Sequence, residues 1–222
     1  MKLGLHLTKT LLVLGAFSAF AVCSFADTIT LNSSASETTN NSGSATINIA
    51  KNPGWADPIA GSSWVSYGQT GDPSSEGYFA SANGTVVTFY DRFFVGGTPT
   101  SGTVNVLADD STSVVLQGVT LFNEASTSGN GYHTCSDFTI GCLAVTEGHI
   151  DLTSALSSGW NTLAFSVGQR AGSSFGLDYS GTVDYTAASA TPEPGSILLL
   201  GTGLALMGLG AFRRMRSKAP QA

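Results

Sequence analysis

Between positions 27 and 191 no stretch repeats its apolar residues with a helical period of 3.6, and this constrains the fold more than any single motif. In its place stand about ten short runs bounded by Gly, Pro, Asn, Asp or Ser, each alternating or rich in β-branched and aromatic residues. Thr85 to Val95 is the strongest, with Val87, Phe89 and Phe93 among them. Thr162 to Val167 points Leu163, Phe165 and Val167 one way, and Thr103 to Ala108 does the same with Val104 and Val106. Asp27 to Leu31, Ser44 to Ala50 and Gly181 to Thr186 also alternate, and Ser113 to Gln117 turns through Gly118 into Val119 to Phe122. Asn32 to Ser44 reads as a loop, Gly96 to Ser101 as a turn, and Asp109-Asp110-Ser111 as a turn of short polar residues. The pattern predicts an all-β fold, a single antiparallel β-sandwich or jelly roll over 27–188.

The two ends differ from this middle. Lys2 and Lys9 precede an apolar run, Leu11 to Ala21, and Ser24-Phe25-Ala26 places small residues at −3 and −1 of a cleavage site before Asp27. Residues 1–26 are therefore expected to be a signal peptide. At the other end Pro192, Glu193 and Pro194 favour an extended hinge, because proline removes donors and restrains the residue before it. Ile197 to Phe212 carries no charge over 16 residues, a helix of ~24 Å that would cross a ~30 Å hydrocarbon core with little to spare. Arg213, Arg214, Arg216 and Lys218 follow, which places that end in the cytoplasm.

This Pro-Glu-Pro, glycine-rich apolar segment and basic cluster resemble the PEP-CTERM sorting signal, over Thr191 to Lys218. The resemblance implies an exported bacterial protein processed by an exosortase. It would pass through an inner-membrane intermediate and finish at the cell surface or in the extracellular matrix. On that reading 189–222 is the sorting segment and 197–212 its transmembrane helix.

Charge narrows the partners. Six of the nine Lys and Arg lie in the end segments, leaving three bases against 14 acids between 27 and 191, a net charge of −11. Nucleic acid and anionic lipid are poor partners for such a surface, whereas divalent cations and neutral glycans are compatible with it. After export Cys135 and Cys142 remain, an even pair in an oxidising compartment, and a disulfide between them is favoured. Zinc on His133, Cys135, Cys142 and His149 is the sharper alternative, but the spacing fits no common finger.

Three groups are candidate sites. Trp55, Trp64 and Tyr132 could stack on a ligand, although large aromatics in irregular backbone more often close the end of a core. Asp109 and Asp110 could hold a structural calcium with backbone carbonyls. Gly172-Ser173-Ser174-Phe175-Gly176 matches the G-x-S-x-G nucleophile pattern, yet that pattern needs a helix after the turn, and the following residues read as a strand.

The order of Trp55 to Ser66, Val104 to Gly118, Asp151 to Thr153 and Gly159 to Phe165 resembles galactose-binding-like jelly rolls of the carbohydrate-binding-module type. That resemblance implies a non-catalytic domain able to bind exopolysaccharide. A structural matrix component without a small ligand, or a plain membrane-anchored binding domain, is the alternative.

Overall fold

The computed structural model describes residues 26–35, 38–40, 45–123, 140–187 and 194–216. Two compact units divide the chain, and Ser24–Ala188 holds every described strand. The first four strands are β1 (Ala26–Asn32), β2 (Thr38–Asn40), β3 (Ile47–Asn48) and β4 (Val65–Ser66). Next come β5 (Val86–Val95), β6 (Gly97–Asp109), β7 (Ser111–Leu116) and β8 (Val119–Phe122). The last three are β9 (Gly148–Asp151), β10 (Gly159–Gly168) and β11 (Gly176–Ala187). Among the described residues, the other unit contains one helix, α1 (Pro194–Arg216).

All strand pairs are antiparallel. One sheet has the order β3-β4-β11-β6-β9, with β1 also pairing β11, and the other runs β2-β5-β10-β7-β8. The expected β-sandwich is therefore the observed fold. Alternation decides what lies between the sheets. Phe89, Leu163, Phe165 and Val167 face inward from one sheet and meet Val104, Val106, Leu177 and Tyr179 from the other. Phe165 stacks on Tyr179 with ring centroids 4.5 Å apart.

Asp91 also lies on the inward face of β5, and the buried hydroxyl of Tyr179 donates to its Oδ2 at 3.1 Å. A polar side chain inside the core is satisfied there by its opposite number across the sandwich.

Three expectations about turns are corrected. The turn expected over 96–101 is strand, because β6 pairs with β11 from Gly97↔Ala187 to Gly176↔Asp109. Pro99 fits because it faces Tyr185 at a register shift, where a missing donor costs least. The loop expected over 32–44 contains the short edge strand β2, paired with β5. Asp109, Asp110 and Ser111 do reverse the chain, but all three are buried instead of forming a solvated turn. The Gly118 hairpin is as expected: Gln117 and Gly118 have φ of 52° and 80°, the two left-handed positions that a tight two-residue hairpin requires.

A second, smaller cluster joins Ile49, Trp55, Trp64, Leu107 and Cys142. Leu107 and Asp109 lie on the opposite face of β6 from Val106 and Ala108, so the segment carrying Trp55 and Trp64 covers the outside of that sheet. Gly176 permits this approach. A Cβ there would sit 3.1 Å from both the Trp55 ring and Ile49 Cδ1.

Candidate functional site

Trp55 and Trp64 are 6% and 1% exposed and lie with ring centroids 4.4 Å apart. Both indole N–H groups are used internally: Trp55 Nε1 donates to Asp109 Oδ2 at 2.8 Å, and Trp64 Nε1 to the carbonyl of Ala56 at 3.2 Å. This burial puts both rings inside the smaller cluster, in keeping with large aromatics that close the end of a core. Tyr132, Cys135 and His133 lie outside the described residues, as do Pro192 and Glu193. Cys142 is buried and disulfide-bonded. The expected Cys135–Cys142 pairing thus has one end within the described residues.

The Trp55 contact leads to a buried polar cluster. Asp109 sits at the end of β6, Asp110 follows it, and each is 4% exposed. Burial chiefly drives the Asp109 carboxyl up, to about 9, helped by the hydrogen bond and charge of Asp110 and opposed by the Trp55 donor. Burial raises Asp110 as well, against the hydrogen bond from Asp109, the backbone N–H of Arg170 and the Arg170 charge. The chemistry is that of a carboxyl pair sharing one proton, with Asp109 as donor and Asp110 as acceptor. Around it, Asp110 N–H donates to Gly168 O, Gln169 Nε2 to Ser174 O at 2.6 Å, and Asn52 Nδ2 to Ser174 Oγ at 2.9 Å.

Calcium at Asp109 and Asp110, the alternative to a plain polar turn, would have to displace donors already in place there. A calcium ion wants six to eight oxygens with their lone pairs free. Here Asp109 Oδ2 accepts the Trp55 indole N–H and Asp110 Oδ2 accepts the backbone N–H of Arg170. One buried oxygen, Gln169 Oε1, has no donor, but among the described residues no group of three or more His, Cys, Asp or Glu could hold a metal. A chelator is therefore expected to leave the melting temperature of the folded protein unchanged. A calcium-dependent rise of several degrees would restore the metal reading.

Ser174 is equally enclosed, 1% exposed, and leads into β11 and not into a helix. His149 is exposed elsewhere and shares a 2.8 Å hydrogen bond with Asn105. The G-x-S-x-G match therefore has neither the elbow nor a base beside it among the described residues.

Sequence reasoning missed Asp178. It is fully buried on β11, and its carboxylate is within 2.6 Å of Ser62 Oγ, 2.7 Å of Ile59 N and 2.9 Å of Ser33 Oγ. Burial pushes its carboxyl up, while those three donors pull it down. Its position between inward Leu177 and Tyr179 was the available signal, but nothing local shows that the far side of the strand is covered.

The tail is the second candidate. The extended hinge expected over Pro192 to Pro194 is corrected at its last residue: α1 begins at Pro194, where a missing N–H costs nothing and φ is already helical. Leu204, Leu206, Met207 and Leu209 are exposed along it. Among the described residues no helix is long and apolar enough to cross a membrane. The span expected over 197–212 is therefore not carried by the described residues. Residues 190–216 match the PEP-CTERM protein-sorting motif. The PEP-CTERM match covers the tail alone, and it marks a protein exported and sorted at a membrane.

No curated protein matches the sequence. Among solved structures, the fold is similar to a family 35 carbohydrate-binding module from Clostridium thermocellum, 13% identical over 69% of this chain and 97% of that one, with a TM-score of 0.39. A CBM35 from Paenibacillus barcinonensis is 16% identical over 72% and 99%, with a TM-score of 0.36. A Streptomyces avermitilis alpha-L-rhamnosidase complexed with L-rhamnose is 19% identical with a TM-score of 0.39. There the match takes in 64% of this chain but 13% of the rhamnosidase. Likenesses this distant carry no argument about ligand or reaction.

Proposed function

We propose that the chain is an exported, non-catalytic protein of the cell surface or extracellular matrix, delivered there by an exosortase. The observation that supports this is the PEP-CTERM match over 190–216. Its linear order suits the role: Pro-Glu-Pro, then a glycine-rich apolar segment, then a basic cluster. The sandwich is the cargo, and an exopolysaccharide is its proposed partner. A neutral polymer is compatible with a net charge of −11, whereas nucleic acid is not. The burial of Trp55 and Trp64 favours one second reading, a structural matrix component that binds no small ligand.

Replacing Pro192, Glu193 and Pro194 together with alanine in the native host tests the sorting step. The expected result is full-length protein held in the membrane fraction and loss of the released form. Unchanged processing and release would contradict it.

A further inference from the structure

The outer face of the β2-β5-β10-β7-β8 sheet differs from the rest of the domain. Outward positions of β10 pair with outward positions of β5: Trp160 with Phe94, Thr162 with Arg92, Ala164 with Tyr90. Trp160 and Phe94 are 59% and 53% exposed and meet edge to face at 5.4 Å. Arg92 lies over the Trp160 ring, 5.1 Å from its centroid, and makes no ion pair among the described residues. Beyond Trp160 the outward residues of β10 are all small: Thr162, Ala164, Ser166 and Gly168. The strand thus offers a strip of small side chains beside Tyr90, ~20 Å long from Thr162 to Gly168 at ~3.3 Å per residue. A hydroxyl pair, Thr88 Oγ1 and Ser166 Oγ at 2.9 Å, lies further along it.

No outward position of β5 or β10 is Asp or Glu, although 14 acids lie between 27 and 191, and Asp91 of β5 points into the core. An aromatic, hydroxyl-bearing, acid-free face in a domain of net charge −11 matches a neutral polyol better than an anion. Repulsion between two such domains also disfavours pairing with a second copy. A large exposed aromatic patch with hydrogen-bonding neighbours marks a binding surface. We propose that this face binds a neutral polysaccharide. Its sugar rings lie on Trp160, Phe94 and Tyr90, and its hydroxyls bond to Arg92, Thr162 and the Thr88–Ser166 pair. This deepens the polysaccharide reading above and rests on it.

The test uses the full chain in mild detergent. It is titrated with a neutral β-glucan, a galactomannan, alginate and polygalacturonate, beside Trp160→Ala and Tyr90→Ala. Binding to a neutral polymer is expected, weakened about 10- to 30-fold in Trp160→Ala, as for an aromatic anchor at a recognition surface. The melting temperature should stay within about 2 °C of the parent, because the ring is exposed. Trp160→Phe should keep part of the affinity. Neutral binding that Trp160→Ala leaves intact overturns this site while sparing the polysaccharide reading. Binding to the acidic polymers alone, or to none of the four, overturns the proposal. So does a parent dimer that Trp160→Ala dissolves, since the face would then belong to a second copy.

Discussion

Asp109→Asn should make the folded domain more stable at pH 8, by about 2 kcal/mol or roughly 4–8 °C in melting temperature. The parent unfolded chain releases the Asp109 proton above its ordinary 3.8, but the folded chain holds it up to about 9. Across that window the folded state binds the extra proton, so Asp109 contributes most at acid pH and loses its contribution as pH rises. Asparagine reproduces the protonated acid. Its amide N–H can donate to Asp110 and its carbonyl can accept from Trp55 Nε1, with no proton to lose. The advantage of the variant should close as pH falls toward 4. Exposed Asp72, Asp151 and Asp184, held below the usual carboxylate range by Ser or Thr donors, act with the opposite sign. Comparing parent with variant by thermal melting at each pH removes their effect. A variant less stable than the parent at pH 8 would mean that the pair is ionised or holds a cation.

Asp178→Ala should act in the other direction and cost about 3 kcal/mol at neutral pH. Three donors, Ser33 Oγ, Ser62 Oγ and Ile59 N, converge on this carboxylate. Both hydroxyls have a carbonyl within reach, Ser63 O for Ser33 and Ile59 O for Ser62, so they can re-pair. The half-buried backbone N–H of Ile59 loses a charge-assisted bond, worth ~1.5–3 kcal/mol. Loss of the anchor also loosens the segment that carries Trp55 and Trp64 over the sheet. The measurement is urea unfolding together with tryptophan emission, which should shift to the red as the two buried indoles gain water. A loss under ~1 kcal/mol with unchanged emission would mean that the segment is held by Trp55 and Trp64 alone.

The two aspartates show where sequence reading stops. Alternation in β5 and β10 was legible because one face packs and the other does not, so Phe89, Leu163, Phe165 and Val167 declared themselves. In β6 and β11 both faces are covered near Asp109 and Asp178, and two acids inside a covered layer read as turn or surface chemistry. Their burial depends on a segment some 45 to 120 residues earlier, Asn52 to Trp64, whose irregular backbone has no period to read. Trp160 failed differently. In the sequence, Ser158-Gly159-Trp160-Asn161 reads as a turn, whereas the register with Phe94 puts Trp160 on an open sheet. The same alternation that turned Leu163 inward would have turned Trp160 outward, had the strand been started at Gly159. The sorting motif was legible, because its signal is a linear order of residue types and needs no tertiary contact; the helix starting at Pro194 was not.

The central claim is that the sandwich is cargo whose two ends direct export and are then removed. Intact-mass measurement of the protein recovered from the cell surface and culture medium tests it most directly. The expected species begins near Asp27 and lacks the residues from Ile197 onward. A cytosolic species whose mass still includes both Lys2 and Arg216, with nothing outside the cell, would contradict it.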